Sequence, residues 1–184
     1  SRRVDTDRDK KRGLSETAMQ VVHENDVIAL DTGSTALELV ESLKRHFNRL
    51  TVVTNSNEVF QCAAEKESFS PILLGGHYYR EEASFYGHIV LNAIENLHFQ
   101  SAFIIPSTVS LVQGIGVFMH ELVDVQKLYI KNSDKTYILA DSTKFDKTSS
   151  IKLCDFLGKT IITDSGLDPD IAQRYRAQGV DLIN

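Results

Sequence analysis

Cysteine is nearly missing from this 184-residue chain, which has only Cys62 and Cys154, far apart and without metal-site spacing. Two such thiols cannot build a disulfide scaffold or a zinc module, and they read as buried thiols in a reducing compartment. No stretch approaches the roughly 18 consecutive apolar residues of a membrane span. The N-terminal region carries no apolar core of the kind a signal peptide needs, so a cytoplasmic location is expected and export is not. A basic balance is also lacking: Lys+Arg is 20 against 25 for Asp+Glu, a formal net charge of −5. Stand-alone DNA or RNA binding, which needs a basic footprint, is therefore not expected. The six histidines are scattered, with no pair at metal-helix spacing. The G-x-S-x-G elbow, the G-x-G-x-x-G fingerprint and the Walker A pattern are absent. Gly114-Ile115-Gly116-Val117 is a lone G-x-G that follows no good strand. No metal or cofactor is expected. The remaining composition, 42% hydrophobic and 24% charged, suits a chain with one sizeable core.

The first twelve residues hold six Lys/Arg and three Asp and read as a polar linker or the exposed start of a helix. Residues 13–184 read as one α/β domain. A first helix is expected over Lys10–His23, with Leu14, Ala18, Val21 and Val22 on one face. Short aliphatic runs then alternate with amphipathic stretches. Strands are expected at Val27–Leu30, Leu50–Val53, Ile72–Leu74, Ser101–Ile105, Thr136–Ala140, Lys159–Thr163 and Val180–Ile183. Helices are expected at Ala36–Phe47, Glu58–Glu65, Ala83–Leu97, Leu122–Asn132 and Asp168–Gln178. Unbroken apolar strands between helices indicate a doubly wound, mostly parallel sheet covered on both faces. A small excursion is allowed for between Gly76 and Gly87.

In such sheets ligands bind outside the carboxyl ends of the strands. Those ends share one composition: Asp31-Thr32-Gly33-Ser34-Thr35, Thr54-Asn55-Ser56, Gly75-Gly76, Ser107-Thr108 and Asp141-Ser142-Thr143-Lys144. Glycine lets backbone approach an anion, and a following helix N-terminus offers free N–H groups. Hydroxyls, Asn55 and Lys144 add donors for a small phosphorylated, hydroxyl-rich ligand. Each block also has a plainer reading as a turn or helix cap. Glu121 and Asp124, spaced i, i+3, read as a solvated helix edge or place Glu121 toward the ligand rim. Lys144 reads as a phosphate contact or as a structural partner of Asp164 or Asp141.

The ordered set of these blocks, with Ser84-Phe85-Tyr86-Gly87 and Ile161-Ile162-Thr163-Asp164-Ser165-Gly166-Leu167, resembles the C-terminal sensor domain of DeoR-type bacterial transcription regulators. The resemblance spans roughly Leu14 to Ile183. It implies a Rossmann-like fold shared with ribose-5-phosphate isomerase and related sugar-phosphate enzymes. It further implies a phosphorylated sugar effector, and DNA contact only through an N-terminal winged helix-turn-helix preceding Ser1. The effector residues it points to are Asp31, Thr32, Gly33, Ser34, Thr35, Thr54, Asn55, Ser56, Gly75, Gly76, Glu121 and Lys144, with no catalytic residue. The chain departs from the family pattern at three places. Ser107 stands where an acidic residue is usual, Gln126 where a Lys follows Glu121, and Tyr79, next to Arg80, where a basic residue follows the glycine pair.

Three functions remain open at this point. The first is a sensor that controls a transcription regulator, a repressor or an activator. The second is a sugar-phosphate isomerase-like enzyme, which would need a base among Asp31, Glu121 or Asp141. The third is a module acting mainly in assembly. Tyr78, Tyr79, Phe85 and Tyr86 suggest an exposed apolar patch, so a homodimer or tetramer is expected. No membrane partner is expected.

Overall fold

The computed structural model describes residues 2–184, with side chains from Asp7 onward; Ser1 and the side chains of the first six residues lie outside the described residues. In chain order the elements are α1 (Arg2–Ala18), β1 (Val27–Leu30), α2 (Ser34–His46), β2 (Thr51–Thr54), α3 (Asn57–Ala64), β3 (Ser70–Leu73), β4 (His77–Tyr79), β5 (Ser84–Tyr86) and α4 (His88–Ile94). There follow β6 (Phe99–Ile104), β7 (Thr108–Ser110), β8 (Gly114–Val117), α5 (His120–Lys131), β9 (Ser133–Leu139), β10 (Ile151–Cys154), β11 (Lys159–Ile162), α6 (Pro169–Ala177) and β12 (Asp181–Ile183).

Seven strands form the main sheet in the order β12-β11-β9-β6-β1-β2-β3, and every pairing is parallel. The chain winds outward from β1 through β2 to β3, then returns to place β6 against the other side of β1. The strand order therefore reverses between β1 and β6, and a crevice opens at their carboxyl ends. Alternate residues of β1 serve opposite faces: Ile28 and Leu30 pack with α1–α3 side chains such as Leu14, Leu39, Leu43 and Val59. Ala29 joins the other core with Val90 and Ile94 of α4, Val125 and Tyr129 of α5, and Tyr175 of α6. This two-sided burial is why the strands read as unbroken apolar runs.

Local chemistry starts the helices where they start. Ser56 caps α3 by accepting from Val59 N at 3.2 Å. Asp168 caps α6, with Pro169 in its first turn. α2 differs: its N-cap is Gly33 at φ +100°, with no side-chain cap. That conformation favours glycine and leaves the first α2 amides open.

Five expectations need correction. The first helix begins at Arg2 and ends at Ala18, followed by a 3₁₀ turn over Met19–Val21, rather than running Lys10–His23. The stretch Ala83–Leu97 is not one helix: Ala83 adopts φ +47° and Ser84–Tyr86 pairs antiparallel with His77–Tyr79. The aromatic, β-favouring side chains and the left-handed Gly87 (φ +92°) explain this, and only His88–Ile94 is helical. The lone G-x-G belongs to β8, the centre of a three-stranded antiparallel sheet with β7 and β10 that the hydrophobic pattern did not suggest. A Cβ at Gly114 would lie 2.6 Å from the Cys154 carbonyl oxygen, so this glycine serves strand packing and not a dinucleotide. Cys62 is buried as expected, whereas Cys154 is half-buried. The hairpin aromatics pair with one another, Tyr78 with Phe85 at 5.4 Å and Tyr79 with Tyr86 at 6.3 Å. Of the four, only Tyr78 is strongly exposed, so the patch is smaller than expected.

Candidate functional site

Asp31 follows the last residue of β1, and its carboxylate joins the two strands that flank the crevice. Its Oδ2 accepts from Ile105 N, just beyond β6, at 2.9 Å and from Gln126 Nε2 of α5 at 2.8 Å. Its Oδ1 accepts from Thr32 N at 2.9 Å. Burial, acting first, pushes the Asp31 carboxyl up to about 6 from its ordinary 3.8, against three hydrogen bonds that favour the charged form. Gln126 is buried, and its Oε1 has no partner among the described residues.

Beside this pair lies a cavity of about 690 Å³, within the range of small-molecule sites. Its wall includes Asp31, Thr32, Gly33, Ser34 and Thr35, so the open end of α2 faces it. Lys11 of α1 reaches in and donates to Ser34 Oγ at 2.7 Å. Lys144 lines it from the 3₁₀ turn Ser142–Lys144, which Asp141 caps by accepting from Thr143 N at 2.8 Å. The expected alternative pairing of Lys144 is not what the residues do. Asp164 instead accepts from Ser142 N at 2.7 Å and Gly166 N at 2.8 Å, and Lys144 forms no ion pair among the described residues.

Six of the twelve residues singled out from the sequence thus meet at the cavity: Asp31, Thr32, Gly33, Ser34, Thr35 and Lys144. The other six do not line it. Thr54 Oγ1 accepts from Ser56 N at 3.0 Å, and Ser56 caps α3. Asn55 is almost fully buried: its Nδ2 donates to Phe85 O at 2.9 Å and its Oδ1 accepts from Tyr129 OH at 2.9 Å. It anchors the β4–β5 hairpin behind the site. Gly76 permits close packing, since a Cβ there would lie 2.7 Å from both Tyr86 O and Val90 Cγ2, while Gly75 stands exposed. Glu121 is exposed and lines a separate, shallower hollow of about 320 Å³ with Tyr86, Leu91 and Asp124.

The residues not foreseen come from the hairpin, from α1, α3 and α5, and from the segments after β6 and β8. Arg80, Glu81 and Glu82, in the 3₁₀ turn between β4 and β5, line the cavity, and Thr32 Oγ1 donates to Glu82 Oε2 at 3.3 Å. Glu58, Ser107 and Phe118 complete much of the remaining wall. Two signals were present in the sequence: Gln126 and Ser107 both stand at positions where the chain departs from the pattern it resembles.

The DeoR C terminal sensor domain family matches residues 6–165 of the chain. The chain belongs to this family. The sensor domain is 25% identical over 174 residues to a putative aga operon transcriptional repressor of Escherichia coli O157:H7, covering 94% of this chain and 64% of that protein. It is 28% identical over 168 residues to a lactose phosphotransferase system repressor of Lactococcus lactis subsp. lactis, covering 90% of this chain and 66% of that protein. It is 31% identical over 170 residues to an L-fucose operon activator of Haemophilus influenzae, covering 91% and 67%. The sensor domain therefore spans about two thirds of the length of the regulators it matches. Among solved structures, ribose 5-phosphate isomerase A of Methanocaldococcus jannaschii aligns with a TM-score of 0.53 at 18% identity, covering 75% of this chain and 54% of that one. The tetrameric eIF2B-beta2-delta2 complex of C. thermophilum aligns at 0.57 and 12% identity, covering 78% and 46%. These likenesses show a shared Rossmann-like fold. No helix among the described residues is long and apolar enough to cross a membrane.

Proposed function

We propose that the sensor domain binds a phosphorylated sugar intermediate in the β1/β6 crevice. Occupancy then governs DNA binding by a winged helix-turn-helix part of the regulator outside these residues. The observation that carries this is the uncapped α2 N-terminus opening into the cavity, with Ser34, Thr35, Lys11 and Lys144 around it. Free amides at a helix start and two ammonium groups suit a phosphate, and the surrounding hydroxyls and carboxylates suit sugar oxygens. The Lys11–Ser34 contact ties α1 to this spot. A ligand phosphate competing for Ser34 would therefore act on the helix nearest the N-terminal end.

The isomerase alternative needs a free base. Asp31, the buried candidate, has both oxygens committed to N–H donors. It reads as a strut between strand ends rather than as a proton acceptor for substrate. The test is a thermal-shift titration with pentose 5-phosphates and hexose 6-phosphates, with turnover followed in the same samples. A saturable rise on the order of 5–10 °C at 100 times Kd, without conversion, is expected. Conversion would establish the enzyme, and no rise with any member would leave only a module acting through assembly. Homodimer or tetramer formation is proposed alongside, and a monomeric mass by light scattering would contradict it.

A further inference from the structure

The charged groups around the cavity do not balance. Six carboxylates line it, from Asp7, Asp31, Glu58, Glu81, Glu82 and Asp141, against three cations, Lys11, Arg80 and Lys144. Among the described residues none of these nine side chains forms an ion pair. A sugar phosphate alone would bring roughly −1.5 to −2 more charge. Lys11 and Lys144 at the α2 end can meet that phosphate, where the first helical turn holds no acidic residue. The carboxylates then stay uncompensated.

The buried floor makes a second demand, for a hydrogen-bond donor. Gln126 is 4% exposed, lines the cavity and turns its Nε2 onto Asp31 at 2.8 Å. Its Oε1 has no donor among the described residues. A buried acceptor left unpaired costs about 1–3 kcal/mol, and such groups are rare without a partner. The opposite orientation of the amide would set its oxygen against the Asp31 carboxylate. The floor therefore offers an acceptor, and Glu82 adds a second, whose carboxylate has as its only hydrogen-bond partner among the described residues Thr32 Oγ1 at 3.3 Å.

Building on the phosphosugar reading above, we propose that the ligand is an amino sugar phosphate, its phosphate at the α2 N-terminus with Lys11 and Lys144, and its nitrogen donating toward Gln126 Oε1 and Glu82. A hydroxyl could satisfy Gln126 but would leave the acid surplus in place. A protonated amine satisfies both.

Calorimetric titration with two pairs of probes tests this: glucosamine 6-phosphate against glucose 6-phosphate, and galactosamine 6-phosphate against galactose 6-phosphate. The members of each pair differ only in nitrogen or oxygen at one carbon. The expected result is that, in at least one pair, the amino member binds tenfold or more tighter. Glu82→Gln, a half-buried position with one weak contact, should keep its melting temperature and lose most of that preference. Gln126→Met should lose it as well; if that variant does not fold, Glu82→Gln decides alone. Neutral members binding as tightly as their amino partners, or a preference that survives in Glu82→Gln, would overturn the proposal while leaving the phosphosugar reading standing. Failure of all four probes, and of every other phosphosugar, would overturn that reading itself.

Discussion

Two strand ends of this domain look alike and do opposite work. Asp31-Thr32-Gly33-Ser34-Thr35 follows β1, and Thr54-Asn55-Ser56-Asn57 follows β2. Both join a buried parallel strand to a helix with hydroxyls, a polar amide or acid, and a small residue. At β1 the helix cap is a glycine without a side chain, so the first α2 amides stay open to the cavity. At β2 the side chains of Thr54, Asn55 and Ser56 are taken: Ser56 caps α3, Thr54 holds Ser56 N, and Asn55 pins Phe85 and Tyr129. The β2 end even carries its hairpin along the backbone, through Asn57 N to Ala83 O at 3.0 Å and Phe85 N to Asn55 O at 2.8 Å. A polar strand end is thus a site only where its hydrogen-bonding groups are left unmatched. Where they are matched, it is scaffold that places a neighbouring element, here the turn bearing Arg80 and Glu82.

The comparison breaks most visibly at Asn55. Asn55→Ala strands the Tyr129 hydroxyl and the Phe85 carbonyl, each worth about 1–3 kcal/mol. A loss of roughly 4 kcal/mol is expected, on the order of 10 °C in a domain of this size. Chemical denaturation followed by circular dichroism measures it. A loss under about 1 kcal/mol would remove Asn55 from the scaffold.

Asp31 gives the next largest effect, and it is carried by pH. Its carboxyl keeps the proton up to about 6 when folded, against 3.8 in its ordinary state. Between those values the folded chain binds more protons than the unfolded one, so protonation of Asp31 favours folding. That contribution is fully present below pH 3.8 and is lost as pH rises through about 6. Its size is about 3 kcal/mol, from roughly 2 pH units at about 1.4 kcal/mol each. Other acids titrate in the same range, so the quantity to measure is the slope of stability against pH in the wild type minus that in Asp31→Asn. Stability falling from pH 4 to 6 in this difference is the expected outcome. A flat or rising difference would show that the carboxylate is not held against burial.

Lys144→Ala and Ser34→Ala sharpen the contrast from the other end. Neither side chain supports the core, so each should change unliganded stability by less than about 0.5 kcal/mol. Lys144→Ala should weaken phosphosugar binding about 10- to 150-fold, the worth of a charge-assisted hydrogen bond. Ser34→Ala should weaken it less, since the backbone amide remains. Paired melting curves with and without ligand separate the two quantities. A Lys144→Ala protein that is destabilised, or that binds unchanged, would remove this lysine from the site.

The sheet was legible because its central strands are buried on both faces: Val27–Leu30 and Tyr137–Ala140 stand out as apolar runs whatever surrounds them. The small antiparallel elements were not. His77–Tyr79 and Ser84–Tyr86 are three residues each and become strands only by pairing with each other. Gly114–Val117, a lone G-x-G in sequence, becomes a strand only where β7 and β10 flank it. The site was half legible for the same reason. Gly33 with its following hydroxyls marks the open helix end locally. Lys11 and Glu82 arrive from distant elements, and nothing in their own neighbourhoods marks them; Gln126 is marked only by standing where a Lys is usual. The composition of Thr54-Asn55-Ser56 could not show that a tyrosine and a carbonyl from elsewhere would occupy it.

The most direct measurement is an amide NMR titration with whichever phosphorylated sugar raises the melting temperature. The open amides of Ser34, Thr35 and Ala36 are expected to show the largest, saturable shifts, with Lys11 following and the amides of Ser56 and Asn57 nearly still. Largest shifts at Ser56 and Asn57, or none at the start of α2, would contradict the account.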